Sequence, residues 1–253
     1  MKALITGASS GIGLEIAKVL DKKGYEIILV ARSIDKLEKA KKHFNNEPKI
    51  IIMDLSKEEN VKDLYKQTKN ENIDILVNNA GFGACGFSET IEVDREIEMI
   101  NTNVKALHIL TKLFLNDMIK KDSGYILNVS SSASFLPGGP LMTTYYATKA
   151  YVTSFTNGIW YELKKRKSNV HISALCPGPV DTNFNNVANV KFSVKPMKPD
   201  DVARYAVKNL FKKKRLIIPG FGIRFTRAIS KFATEKFLLK FTYGIQEKKI
   251  YKK

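Results

Sequence analysis

Short runs of aliphatic and β-branched residues alternate along the chain with longer segments in which apolar positions recur every three or four residues. The short runs predict strands at "KALIT" (2–6), "EIILVA" (26–31), "KIIIMDL" (49–55), "IDILVNNAG" (73–81), "GYILNVSSS" (124–132), "VHISALCPG" (170–178) and "RLIIPG" (215–220). Between them the helical period predicts helices over 14–23, from a cap at Ser33, from a capping box of Ser56 and Glu59, over 94–121, over 143–167 and over 200–211. No internal repeat or low-complexity linker interrupts the order. Strand alternating with crossover helix predicts an α/β protein, a doubly wound parallel sheet of about seven strands with helices on both faces, whose ligands lie at the carboxyl ends of the strands.

At 253 residues the chain has the length of one α/β domain, and the whole of 1–253 is read as one. Its hydrophobic fraction of 44% and charged fraction of 26% are those of a folded soluble protein. Cys85 and Cys176 are far apart and form no CxxC pair, so neither a disulfide framework nor a zinc site is expected; Cys176 reads as a small buried hydrophobe. His43, His108 and His171 fall on different elements without ligand spacing, and no metal is expected. The opening "MKALITGASS" reaches a strand at once, and no apolar run approaches the ~18 residues of a span, so a cytoplasmic, non-spanning protein is expected.

"TGASSGIG" (6–13) lies between the first strand and the first helix. Its spacing, GxxxGxG with Gly7, Gly11 and Gly13, allows a tight turn and a close backbone approach, so that a pyrophosphate can rest on the helix N-terminus. The sheet is accordingly of the Rossmann type. At the end of the second strand an acidic residue would favour NAD, whereas an arginine accommodates the 2′-phosphate of NADP. The chain reads "LVARS", with Arg32 and no acid before Asp35, so NADP(H) is expected over NAD.

Five further motifs follow in order: "NNAG" (78–81), "NTNVKA" (101–106), "NVSSSAS" (128–134), "YYATKA" (145–150) and "PGPVDT" (177–182). With the glycine turn they resemble the short-chain dehydrogenase/reductase family, in its short single-domain branch, over residues 1 to about 220. The resemblance implies that Tyr145 and Lys149 are its YxxxK pair, Asn103 its catalytic asparagine, and a serine ending the fifth strand its substrate-orienting hydroxyl. It implies cofactor contacts at Gly7, Ser9, Ser10, Gly11, Ile12 and Gly13, at Arg32, and at Asp54 with Leu55 beside the adenine. It places Asn79, Ala80 and Gly81 near the adenosine ribose, and Pro177, Gly178, Val180 and Thr182 around the nicotinamide carboxamide. Tyr145 and Lys149 would also touch the cofactor, Lys149 at the nicotinamide ribose, and Asn103 would support a water that relays protons. A homodimer or homotetramer through the fourth and fifth helices is implied as well.

The family's usual thirteen-residue spacing to the tyrosine selects Ser132, whereas aligning the strand itself selects Ser131 and makes Gly139 a one-residue loop insertion. Strand register decides which side chain faces the site more strictly than loop length does, so Ser131 is expected and Ser132 is the alternative. Tyr145 and Tyr146 stand four and three residues before Lys149, so helix geometry does not choose between them; the motif assigns the chemistry to Tyr145 and leaves Tyr146 to packing.

A free tyrosine, with a pKa near ~10, is a poor base at neutral pH, and a nearby lysine ammonium is expected to lower that value. Such a residue exchanges a proton with a substrate oxygen while a nicotinamide exchanges hydride with the adjacent carbon. The expected function is NADPH-dependent, reversible reduction of a ketone or aldehyde. A non-catalytic dinucleotide-binding sensor or scaffold on the same fold is its rival; a sugar-nucleotide epimerase of the longer branch is disfavoured by the glycine spacing. Residues 183–198 are expected to close over a small carbonyl or alcohol substrate, and carry no charge pattern that singles out a ligand.

The formal charge of +17 is unevenly spread: residues 191–253 hold 18 basic and 4 acidic side chains. With 35 of the 42 basic residues being lysine and no recognition motif present, nucleic-acid binding is not expected. Within 221–253, "IRFTRAISKFATEKFLLKFTY" puts Phe225, Ala228, Ile229, Phe232 and Leu239 on one helical stripe among Arg224, Arg227, Lys231 and Lys240. That basic amphipathic extension is read as a cap on the active site, an oligomer contact, a peripheral membrane contact or a solvated helix.

Overall fold

The structure is a computed structural model and describes residues 1–184, 188 and 196–251, without the side chains of 248–251. Most of the expected substrate-closing segment, 183–198, lies outside the described residues. Seven parallel strands, β1 (Lys2–Thr6), β2 (Glu26–Ala31), β3 (Lys49–Ile52), β4 (Ile73–Asn78), β5 (Tyr125–Val129), β6 (His171–Leu175) and β7 (Leu216–Ile217), form one sheet in the order β3-β2-β1-β4-β5-β6-β7. The order reverses between β1 and β4, which opens a crevice at their carboxyl ends.

Side chains alternate across the sheet, so each strand feeds two cores. Ile5, Leu29 and Val77 pack on one face against α1 (Gly11–Asp21), α2 (Ile34–Lys41) and α7 (Pro199–Phe211). Leu4, Val30 and Leu76 pack on the other face against α3 (Glu58–Thr68), α5 (Leu107–Lys120) and α6 (Thr143–Lys165). Both faces are covered, which is why the strands read as nearly continuous apolar runs.

Several boundaries differ from the sequence reading. The third to seventh strands are all shorter than expected, and α1 starts at Gly11, three residues before the apolar period begins. The capping box does not form. Ser56 donates both its N–H (3.0 Å) and its hydroxyl (2.9 Å) to Asp54 Oδ1, which leaves Lys57 as the N-cap of α3. The helix expected over 94–121 is α4 (Val93–Ile100) joined to α5 by a π-helical turn, Asn101–Ala106. The C-terminal stripe is also broken: a turn divides it into α8 (Phe221–Ser230) and α9 (Glu235–Tyr251). Ile223 faces inward on α8, while Leu238, Thr242 and Gln246, spaced by four, are the buried face of α9.

Candidate active site

The glycine turn is held from behind by Thr6 and Asn79. The Thr6 hydroxyl accepts the N–H groups of Asn79 (3.0 Å) and Ala80 (3.1 Å), and the Asn79 amide donates to the carbonyls of Thr6 and Gly7, each at 3.0 Å. A Cβ on Gly13 would stand 2.4 Å from Asn79 Nδ2 and 2.6 Å from Gly7 O, so no other residue fits there. Gly7 and Gly11 take the left-handed conformation, with φ of +63° and +59°. Ser10 makes no side-chain cap, so the first turn of α1 presents its N–H groups, with Ser9 and Ile12, at the mouth of the crevice. An uncapped helix N-terminus reached through a turn without Cβ atoms suits a pyrophosphate, and the residues present fit a dinucleotide.

The remaining predicted cofactor contacts surround this crevice. Arg32 reaches out from the tip of β2 and pairs with Glu98 of α4 at 2.8 Å. Asp54 and the buried Leu55 follow β3, with the Asp54 carboxylate already taking both Ser56 donors. Across the cleft the methyl of Thr182 stands over Gly11, 3.0 Å from where a Cβ would lie. Pro177 accepts the Ser132 N–H at 2.8 Å, Gly178 backs onto Ile223, and the buried Val180 bridges to Met197.

Beyond β4 and β5 the four residues of the implied catalytic set come together. Asn103, in the π-helical turn and 1% exposed, clamps the backbone of Phe82: its Oδ1 accepts the N–H (3.0 Å), and its Nδ2 donates to the carbonyl (2.8 Å) and to Thr148 Oγ1 (3.1 Å). π-turns inside helices recur at functional sites because they re-aim a side chain without ending the helix. Lys149, also buried, donates from Nζ to the carbonyl of Val129 at 3.0 Å. Gly81 is the space between these two, since a Cβ there would lie 2.8 Å from Asn103 Oδ1 and 3.5 Å from Lys149 Nζ.

Tyr145 is hydrogen-bonded to the hydroxyl of Ser131, and Lys149 Nζ lies 5.8 Å from its ring centre. Ser132, one residue on, instead opens a short 3₁₀ turn and gives its N–H to Pro177. Burial pushes the Tyr145 phenol up to about 12, and the Ser131 hydrogen bond only partly offsets it. The downward shift expected from the Lys149 ammonium is therefore absent. Burial also brings Lys149 down to about 8, because the ammonium is removed from water with a single carbonyl in return.

The wall facing Tyr145 is apolar. Phe184 lies tilted against it, with ring centres 5.3 Å apart, and Phe184, Tyr145 and Met142 converge on Gly83. Ala133, Tyr146 and Ala188 complete the buried part of this cluster. Tyr146 is a packing residue whose phenol accepts from Gln246 Nε2 of α9 at 2.6 Å, so the inner face of α9 covers the start of α6. Among the described residues no group of His, Cys, Asp and Glu could hold a metal ion, and Cys176 is fully buried with its thiol pushed up to about 11.

Sequence reasoning missed Thr6, Thr148, Phe82, Glu98 and Gln246. Each acts on a site residue through a contact between distant parts of the chain, and no local pattern marks it.

An anion cradle at β1 and a half-buried proton-bearing phenol beyond β5, on the same edge of one sheet, are what exchange of hydride between a dinucleotide and a carbon–oxygen bond requires. Fold and site thus define an NAD(P)-dependent oxidoreductase. The family profile "short chain dehydrogenase" matches residues 1–191. The very-long-chain 3-oxoacyl-CoA reductase of Anas platyrhynchos is 32% identical over 214 residues, covering 81% of this chain and 67% of that protein. An uncharacterized oxidoreductase of Staphylococcus aureus is 31% identical over 225 residues, 88% of this chain and 96% of that one. Among solved structures, a short-chain dehydrogenase from Sphingobium yanoikuyae in complex with NADPH is 25% identical and superposes with a TM-score of 0.82 over 91% of this chain and 93% of that chain. The protein belongs to the short-chain dehydrogenase/reductase family. No helix among the described residues is long and apolar enough to cross a membrane.

Proposed function

We propose that the protein reduces an apolar ketone or aldehyde to the alcohol, with NADPH as reductant and Tyr145 as proton donor. The observation that carries this reading is the half-buried hydrogen bond between Tyr145 and Ser131, set against the apolar wall of Met142 and Phe184. Tyr145 keeps its proton at neutral pH, as a donor to the carbonyl oxygen must, although a phenol raised by burial gives that proton up less readily than a free one and relies on stabilisation of the charge that develops.

When bound, the cofactor supplies hydride to the carbonyl carbon. The chain's own residues do the rest. Ser131 donates to the carbonyl oxygen and holds it beside the Tyr145 hydroxyl, which gives up its proton as charge develops on that oxygen. Lys149 would hold the nicotinamide ribose. Asn103, fixed by Phe82 and Thr148, supports the water through which Tyr145 regains its proton. Gly7 to Gly13 and Thr182 would hold the pyrophosphate and nicotinamide ends, Asp54 and Asn79 to Gly81 would border the adenosine, and Arg32 at the tip of β2 would favour the 2′-phosphate.

The test is NADPH oxidation against short ketones, aldehydes, steroids and 3-oxoacyl thioesters, with Tyr145→Phe as control. Turnover is expected with apolar carbonyls, and Tyr145→Phe is expected to lose it while still binding NADPH. Undiminished turnover in that variant would overturn the assignment.

A further inference from the structure

We propose that α8 and the outer face of α9 form a docking surface for an anionic lipid bilayer. Both helices fold against the protein with one face only. Ile223 and Arg227 of α8 pack inward, Arg227 over the ring of Phe135, and α9 uses Leu238, Thr242 and Gln246. What remains outside is aromatic: Phe221 is 76% exposed, Phe232, in the turn between the helices, is 90% exposed, and Phe225, Phe237 and Phe241 are each at least half exposed. Phe221, Phe225 and Ile229 follow one another at intervals of four along the outer stripe of α8, and Phe237 and Phe241 stack on each other along α9. Folding leaves these rings in water, and exposed aromatic rows of this kind mark an interaction site.

Charge selects the occupant. Residues 221–253 contain nine basic and two acidic side chains, and Arg224, Lys231, Lys236 and Lys240 are exposed among the rings. A second copy docked symmetrically through this face would bring two such basic surfaces together, with Glu235 and Glu247 the only acids within 221–253 to offset them. An anionic bilayer supplies both halves of the match: phosphates at headgroup level for the cations and an acyl boundary for the phenylalanines. Helix α9 links this face to the active site, because its inner side ends on Tyr146 in the apolar cluster beside Tyr145. The docking surface stands whether or not the proposed reaction is right, since it rests on exposed residues outside the site.

The experiment is sedimentation of the full chain with phosphatidylcholine–phosphatidylglycerol vesicles and with phosphatidylcholine vesicles alone. Partitioning is expected with the anionic vesicles, weakening at high salt. Phe225→Glu with Phe241→Glu is expected to lower it at least about tenfold, leaving thermal unfolding and the oxidation of NADPH with a soluble ketone unchanged. Phe221→Ser with Phe225→Ser, confined to α8, gives the same readout should the α9 substitution disturb folding. No sedimentation of the wild type with anionic vesicles, equal partitioning of wild type and variants, or lipid-free self-association abolished by the same substitutions would each overturn the proposal.

Discussion

Arg32 holds Glu98 through an Nη1–Oε1 contact of 2.8 Å, and the other Glu98 oxygen takes Arg95 at the same distance. The cation that the 2′-phosphate would use is thus already paired with a carboxylate on another element. Arg32 is well exposed, and a pair of that kind is worth ~0.2–1 kcal/mol, which makes Glu98 a mild competitor. Glu98→Gln is expected to lower the KM for NADPH by about two- to fivefold and to leave that for NADH unchanged. Arg32→Ala should raise the NADPH value alone. Steady-state kinetics with both cofactors checks this, and a parallel change for NADH would refute it.

Ser131, not Ser132, is bonded to Tyr145. Ser131→Ala is expected to cost about 10²–10³ in kcat, the scale of one lost donor to a developing oxyanion. Ser132→Ala should stay within about twofold, since the bond this residue makes to Pro177 comes from its backbone N–H. The reverse order of effects would move the role to Ser132.

Asn103 satisfies both backbone groups of the buried Phe82. In Asn103→Ala those two groups lose their partners, at ~1–3 kcal/mol each, so unfolding should come about 5–15 °C earlier by calorimetry. Asn103→Asp is not expected to restore stability, because a carboxylate can accept the Phe82 N–H but cannot donate to the carbonyl. A wild-type melting temperature in either variant would show that the clamp contributes nothing.

Lys149 is brought down to about 8 from an ordinary 10.5 by burial. Between those values the unfolded chain retains a proton that the folded chain has released, so this group makes stability rise with pH across that window. Below it, the buried ammonium costs up to ~3 kcal/mol. Lys149→Met is expected to abolish reduction and to match or exceed the wild type in stability at pH 7. Denaturant titrations at pH 7 and pH 9.5 on both proteins measure the difference, and a large loss of stability in the variant would contradict it.

Much of the fold was written in local pattern. Strands buried on both faces must be apolar throughout, and crossover helices must carry a stripe, so the order of elements followed from periodicity alone. Pattern was less exact at the ends of elements, where side chains compete with the helix for backbone groups: Asp54 captured Ser56 and removed the capping box. The period over 94–121 likewise gave no sign of the π-turn that carries Asn103.

The sequence by itself determined what depends on neighbours in the chain: the glycine turn with its positive φ angles, the helix that opens from it, and the four-residue interval that sets Tyr145 and Lys149 on one face. Tertiary structure alone decided what depends on distant groups meeting. Phe82 and Asn103 are 21 residues apart, Arg32 and Glu98 are 66 apart, and Tyr146 and Gln246 are 100 apart. The same is true of the protonation of the site, because a tyrosine or lysine takes its pKa from how fully the surrounding chain removes it from water, and that enclosure has no local signature.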